Sequence, residues 1–107
     1  MELLDGERVL AFDLETTGIS TSRDRIVQLA LIGSDADGSE VSYDRLVNPR
    51  RSIPYEAQRV HGISDSDVRN EPDFSAIADQ VAELIQDSVL VGHNVRKFDM
   101  PMLRNEF

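Results

Sequence analysis

The apolar run Val9-Leu10-Ala11-Phe12 predicts a first, buried strand over residues 7 to 14. A polar stretch rich in Ser, Thr and Gly, Thr16 to Asp24, reads as a loop. The apolar and β-branched segment Arg25 to Ile32 predicts a second strand. Asp35-Ala36-Asp37-Gly38 supplies a hairpin turn, because Asp-Gly tolerates the positive φ that tight turns require. Val41, Tyr43, Arg45 and Val47 alternate with Ser42, Asp44 and Leu46, the pattern of a third, half-exposed strand ending at Asn48-Pro49. The three strands form an antiparallel meander, with one face on a core and the other left to solvent or helices.

The pattern then changes period. Pro54 fits the first turn of a short helix over Tyr55 to Val60, where a missing N–H costs nothing, and His61-Gly62 ends it. Ser64 and Asp67 are spaced as an N-cap pair for a brief helical turn. Asp73 caps a longer helix, in which Phe74, Ile77, Val81, Leu84 and Ile85 recur at three- and four-residue steps as one buried stripe. Ser88 to Gly92 predicts a fourth strand. Residues 95 to 106 carry Val95, Phe98, Met102 and Leu103 at helical spacing, with Pro101 either kinking the helix or standing just inside a new start. The order βββ, helices, β, helix predicts an α/β domain, a mixed sheet with helices packed on it. With only Phe107 after that last helix, the fourth strand and the helix are expected to lie uncovered, with the core unfinished at that end.

Composition narrows the class. A chain of 107 residues fits one domain, residues 1 to 107, and no apolar run approaches the ~18 residues of a membrane span. The acidic start, Met1-Glu2-Leu3-Leu4-Asp5, lacks the basic region of a signal peptide, so a cytoplasmic setting without membrane contact is expected. There is no cysteine, which leaves carboxylate and imidazole as metal ligands. A net charge of −9 argues against nucleic-acid binding through a generally basic surface, though not against a metal-bridged contact.

The chemistry concentrates in Phe12-Asp13-Leu14-Glu15-Thr16-Thr17-Gly18. The two-residue period of a strand puts Asp13 and Glu15 on one face, where like charges repel unless a hard cation such as Mg²⁺ or Mn²⁺ lies between them. A second cluster, Gly92 to Asp99, lies where a strand end opens into a helix, the place open α/β sheets put ligands. Asp99 can converge there with Asp13 and Glu15 as a metal and catalytic centre, or be only a charge favourable to a helix N-terminus. His61, before Gly62, reads equally as the end of a short helix or as a substrate contact. His93 reads as a structural residue.

Together these segments resemble the DEDD family of 3′–5′ exonucleases, in particular its proofreading branch, the epsilon-like subunits and domains of bacterial DNA polymerase III. Residues 12 to 18 resemble its first motif and His93 to Asp99 its second. Leu46-Val47-Asn48-Pro49, Ile53-Pro54 and Val60-His61-Gly62-Ile63 resemble the segments between. The resemblance implies an RNase H-like fold, with the fourth strand parallel in a mixed sheet, and two-metal hydrolysis of a terminal phosphodiester. It implies Mg²⁺ or Mn²⁺ as cofactor, two ions in a complete site. Asp13 would bridge both, Glu15 would hold the ion on the nucleophile side, and Asp99 would act on the other side through water. Leu14, Thr16, Thr17, Gly18, His61, Asn94 and Phe98 would meet the substrate. The partners implied are nucleic-acid 3′ ends, DNA before RNA, and a DNA polymerase. The family's third motif has a His or Tyr before a final Asp, whereas residues 100 to 107 contain no Asp, His or Tyr. A fourth carboxylate and a general base are then expected to be missing, which predicts weak or no catalysis by this chain alone. The alternatives are a non-catalytic module that binds nucleic acid or a polymerase, and a fragment completed by another chain or by self-association through its uncovered C-terminal side.

Overall fold

The computed structural model describes residues 7–92 and 95–107. Their elements run β1 (Arg8–Thr16), β2 (Ile26–Ser34), β3 (Glu40–Leu46), α1 (Tyr55–His61), α2 (Asp65–Val68), α3 (Phe74–Ile85), β4 (Ser88–Val91), a π-helical turn (Val95–Asp99) and α4 (Met100–Glu106). One sheet results, ordered β3-β2-β1-β4. The β1–β2 and β2–β3 pairs are antiparallel and β4 lies parallel to β1, which is the mixed sheet the sequence predicts.

Alternation decides which way the sheet faces. Leu10, Phe12 and Leu14 of β1 and Leu29 and Leu31 of β2 point to one side. There they pack on Phe74, Ile77 and Val81 of α3 and on Met102 and Leu103 of α4. A smaller cluster of Val27, Ile53, Ile63 and Val68 fastens α1 and α2 to the rim of the sheet. The hairpin between β2 and β3 turns on Gly38, whose φ of 87° is the left-handed value expected of Asp-Gly. Asp73 caps α3, accepting the Ala76 N–H at 3.1 Å and the Ser75 hydroxyl at 2.7 Å.

Four expectations need correction. The first strand runs on to Thr16, so Glu15 belongs to the ladder opposite Gln28 and the loop begins one residue later, at Thr17, with a register shift between Glu15 and Thr16. Pro54 precedes α1 with an extended backbone (ψ 147°), and its carbonyl accepts the Gln58 N–H at 3.1 Å. Residues 95 to 106, expected as one helical pattern, are two pieces, a π-helical turn followed by α4, and Pro101 stands just inside the new start, one of the two places the sequence allowed. Proline has no N–H to donate back along the chain, so the hydrogen-bond pattern changes where it stands.

The fourth concerns the uncovered end. Met102 and Leu103 are fully buried, and Phe107 meets Phe74 edge-on with ring centroids 5.0 Å apart, so α4 packs into the core and does not lie uncovered. Among the described residues, what lies open is the opposite face of the sheet, where Ile32 is 45% and Val91 47% exposed, and the outer edge of β4.

Candidate active site

Asp13 and Glu15 project from the open face of β1, beside Ala30 and Gln28 of β2. Asp44 of β3 flanks Ala30 on the far side and accepts the Gln28 amide N–H at 3.0 Å. These residues, with Ile32, Val60 and His61, line a cavity of about 500 Å³ over the sheet.

A second cavity, about 550 Å³, opens at the end of β1. Its walls are Leu14 to Ile19 with Asp24 on one side, Pro54, Glu56, Ala57, Val60 and His61 on another, and Phe98 from the π-helical turn. Glu15, Val60 and His61 line both cavities, so the carboxylate face and the larger cavity share a wall.

The turn that follows β1 is tied down by Asp24. Its carboxylate accepts the Thr17 hydroxyl at 2.8 Å and the Ser20 N–H at 2.8 Å. Thr17 is also joined to Arg25 twice, its N–H donating to the Arg25 carbonyl at 2.8 Å and its Oγ1 accepting the Arg25 N–H at 3.0 Å. A Cβ on Gly18 would lie 2.6 Å from the Asp24 carboxylate, so glycine lets Asp24 come in. Thr16 donates to the Gly18 carbonyl at 2.6 Å. The motif residues Thr16, Thr17 and Gly18 therefore act first as a built wall, whose hydroxyls are already engaged.

His61 bridges elements. Its Nδ1 accepts the Ile63 N–H at 3.0 Å, so the ring hydrogen is on Nε2, which donates to the Thr16 carbonyl at 3.0 Å. The helix end itself is closed by Gly62, whose N–H reaches the Gln58 carbonyl at 2.7 Å. His61 thus pins α1 to the end of β1 while lining both cavities.

Asp99 is only 6% exposed, at the junction of the π-helical turn and α4, in a segment that packs on β1. Phe98, half-buried, reaches the larger cavity. His93 and Asn94 lie outside the described residues. The donor set is all oxygen, and the Asp13 carboxylate is exposed with Glu15 half-exposed beside it, which fits a hard divalent cation. Among the described residues no three of His, Asp and Glu gather closely enough to hold an ion. The fit on view is thus that of a two-carboxylate pair, with Asp99 on the adjoining segment.

Two working residues escape sequence reasoning. Asp24 was a loop residue like its neighbours, marked only by its place next to the second strand. Glu106, its side chain 3% exposed, accepts the Arg25 guanidinium at 2.9 Å and the Ile26 N–H at 2.8 Å, clipping the end of α4 to the start of β2. Its signal was its position: an acid in the last turn of a helix opposes the helix dipole and needs a partner elsewhere.

A family model described as exonuclease, RNase_T, matches residues 10–107. DNA polymerase III subunit epsilon of Treponema pallidum is 34% identical over 96 residues, covering 90% of this chain and 44% of that protein. The 3′-5′ exonuclease DinG of Bacillus subtilis is 32% identical over 104 residues, 96% of this chain and 11% of its own length. The chain thus spans less than half the length of these relatives. E. coli exonuclease I, solved in complex with a dA16 oligonucleotide, superposes with a TM-score of 0.82 at 24% identity, over 94% of this chain and 23% of that one. That likeness is one of fold, and it is the fold described above, RNase H-like.

Proposed function

The chain belongs to the RNase_T exonuclease family, and from that premise we propose that it carries the first two motifs of a 3′–5′ exonuclease acting on nucleic acid, DNA before RNA. The observation that carries the reading is the shared wall. A terminal nucleotide in the larger cavity, lined by Leu14, Thr16, Thr17, Gly18, His61 and Phe98, has Glu15 beside it, with Asp13 one strand step further along the same face. Asn94 belongs to the same set by its place in the second motif.

Asp13 and Glu15 would hold a divalent ion, Mg²⁺ or Mn²⁺, with Asp99 contributing from the adjoining segment. Such an ion supplies charge neutralisation at the phosphate and a water acidified to attack it, and a second ion belongs to the complete site. The protein's own part is positioning. His61 holds α1 against β1, Asp24 holds the Thr17 turn, and half-buried Phe98, with the edge of the otherwise buried Leu14, would take the base or sugar. The single domain of residues 1 to 107 stands, in this reading, for part of a longer exonuclease unit in which a further carboxylate and a general base complete the chemistry. A polymerase partner and a cytoplasmic setting go with the reading through the epsilon relatives. Among the described residues no helix is long and apolar enough to cross a membrane.

The test is thermal denaturation with and without Mn²⁺, using the chain itself, beside the release of nucleotides from 3′-labelled DNA and RNA strands. Mn²⁺ at a hundred times its Kd should stabilise the chain by about 2.7 kcal/mol, and the Asp13→Asn/Glu15→Gln double variant should lose that gain. A wild-type melting temperature indifferent to Mn²⁺ would defeat the metal site, and with it the hydrolytic reading.

The open β4 edge and the exposed Ile32 and Val91 support a second reading, in which another chain or a second copy completes the sheet. Sedimentation over a range of concentrations tests it, since a monomer mass throughout rules out self-association.

A further inference from the structure

The cavity over the sheet is lined by two polar side chains that the metal reading leaves unused, Gln28 of β2 and Asp44 of β3. Gln28 stands directly opposite Glu15 in the β1–β2 ladder, and Asp44 lies one strand further out, across Ala30 from Asp13. The two are joined, Gln28 Nε2 donating to Asp44 Oδ1 at 3.0 Å. A carboxylate accepts and does not donate, so this bond fixes which way the amide is turned. Its nitrogen goes to Asp44, and Gln28 Oε1 has no protein donor among the described residues.

Distance separates their roles. A small hard cation keeps several of its waters, and each such water needs acceptors for its outward hydrogens. With metal–oxygen bonds of about 2.1 Å, an acceptor for one of these waters lies roughly 4–5 Å from the ion. Gln28 is one strand from Glu15, a spacing of about 4.8 Å, whereas Asp44 is two strands from Asp13, about 10 Å at the backbone. Gln28 therefore has the reach for a water on the ion, and Asp44 has only the reach for Gln28. Among the described residues the rest of the wall offers no rival side-chain acceptor, since Ala30, Ile32 and Val60 are apolar and both ring nitrogens of His61 are engaged.

We propose that Gln28 is a positioning residue of the metal centre, its Oε1 accepting a hydrogen bond from a water on the ion at Asp13 and Glu15, with Asp44 holding the amide turned for it. This rests on the exonuclease reading, which puts a divalent ion at those two carboxylates. An amide suits the place. A third carboxylate directly opposite Glu15 would add like-charge repulsion, and an apolar side chain would leave the water without its acceptor. Partners of this outer kind typically govern about ten- to a hundredfold in metal affinity.

The experiment titrates the full chain with Mn²⁺, following free Mn²⁺ by its electron spin resonance, beside the melting temperature without metal. Gln28→Leu keeps the reach of the side chain and removes both amide atoms. At a half-buried position on the open face its metal-free melting temperature should stay near wild type, while Mn²⁺ affinity should fall about tenfold. Asp44→Ala frees the amide without removing it and should weaken binding by less, about threefold. Asp44→Asn, whose own amide oxygen can hold Gln28 Nε2, should recover most of that loss. Added to Gln28→Leu, Asp44→Ala should cost nothing further, because its effect passes through the amide. Mn²⁺ affinity of Gln28→Leu within about twofold of wild type would overturn the proposal. So would an Asp44→Ala loss of the same size with and without the Gln28 amide, the mark of a distant charge. Should Gln28→Leu melt well below wild type, the Asp44 pair decides alone, equal losses for Ala and Asn overturning the contact. A wild type that binds no Mn²⁺ removes the metal reading itself. Binding lost in Asp13→Asn/Glu15→Gln but unchanged in every Gln28 and Asp44 variant leaves that reading standing and removes only this one.

Discussion

The two faces of the one sheet obey different rules. The face under α3 and α4 is dry: Leu10, Phe12, Leu14, Leu29 and Leu31 meet helix side chains, and no buried polar side chain among the described residues lacks a partner. The other face carries Asp13 and Glu15 between Ala11, Ala30 and Ile32, open to solvent and to the two cavities. Successive residues of a strand point to opposite sides, so β1 alternates, residue by residue, between holding the fold and offering chemistry. An acid on the covered face would cost several kcal/mol in desolvation, whereas on the open face two of them cost only their mutual repulsion, which a cation removes.

The sharpest way to break this contrast is to truncate two neighbours in β2. Leu31 is buried against the helices and Ile32, next to it, is 45% exposed on the other side. Leu31→Ala should cost about 2–5 kcal/mol in urea denaturation, enough to unfold much of a marginal domain, because it leaves a cavity. Ile32→Ala should cost under about 1 kcal/mol. Equal costs would mean that the open face is covered in solution, by a second copy or by chain packed back on it.

That contrast is also where the sequence was most legible. The alternation of Leu10, Phe12 and Leu14 with Asp13 and Glu15 assigns both faces, because a strand's period leaves no freedom once one side is apolar. The Asp-Gly turn, the Asp73 cap and the stripe Phe74, Ile77 and Val81 were equally readable, each being a local rule satisfied locally. Residues 12 to 18 likewise marked a candidate site by residue type and spacing, and Asp13 and Glu15 do share the open face. What escaped was long-range or conditional on packing. Nothing around Val95 distinguishes a π-helical turn from ordinary helix except Pro101, whose effect depends on where α4 docks. Glu106 and Arg25 are far apart in sequence and meet only because α4 lies across the start of β2. The cover of the core by α4 was missed for the same reason: Met102 and Leu103 show an apolar stripe but not the partner that buries it.

How firmly α4 covers its face can be sharpened at Glu106. Glu106→Gln keeps an oxygen for the Ile26 N–H but drops the charge that meets Arg25. Since the carboxylate is buried and the guanidinium half-exposed, a loss of about 1–2 kcal/mol is expected, less than the cavity at Leu31. Hydrogen exchange locates it: the Ile26 and Thr17 amides should open faster while Leu29 keeps its protection. A uniform rise everywhere would mean that Glu106 serves global stability and has no special hold on the end of β1.

The smallest effect concerns the other covering helix. Hydrogen bonds from the Ser75 hydroxyl and the Ala76 N–H hold the Asp73 carboxyl below its ordinary value, with Arg50 adding to them. A carboxyl depressed in the folded state binds its proton more readily once unfolded. Its contribution is therefore complete above the ordinary carboxylate range and is lost as pH falls through the lower, folded value. Asp73→Asn retains a capping side chain that cannot ionise. Its melting temperature should trail wild type slightly at neutral pH, with the gap closing on acidification. A gap that persists in acid would mean that the cap works through shape and hydrogen bonding alone. The covered face would then owe nothing to charge at α3, and its dependence on charge would rest with the Arg25–Glu106 clip.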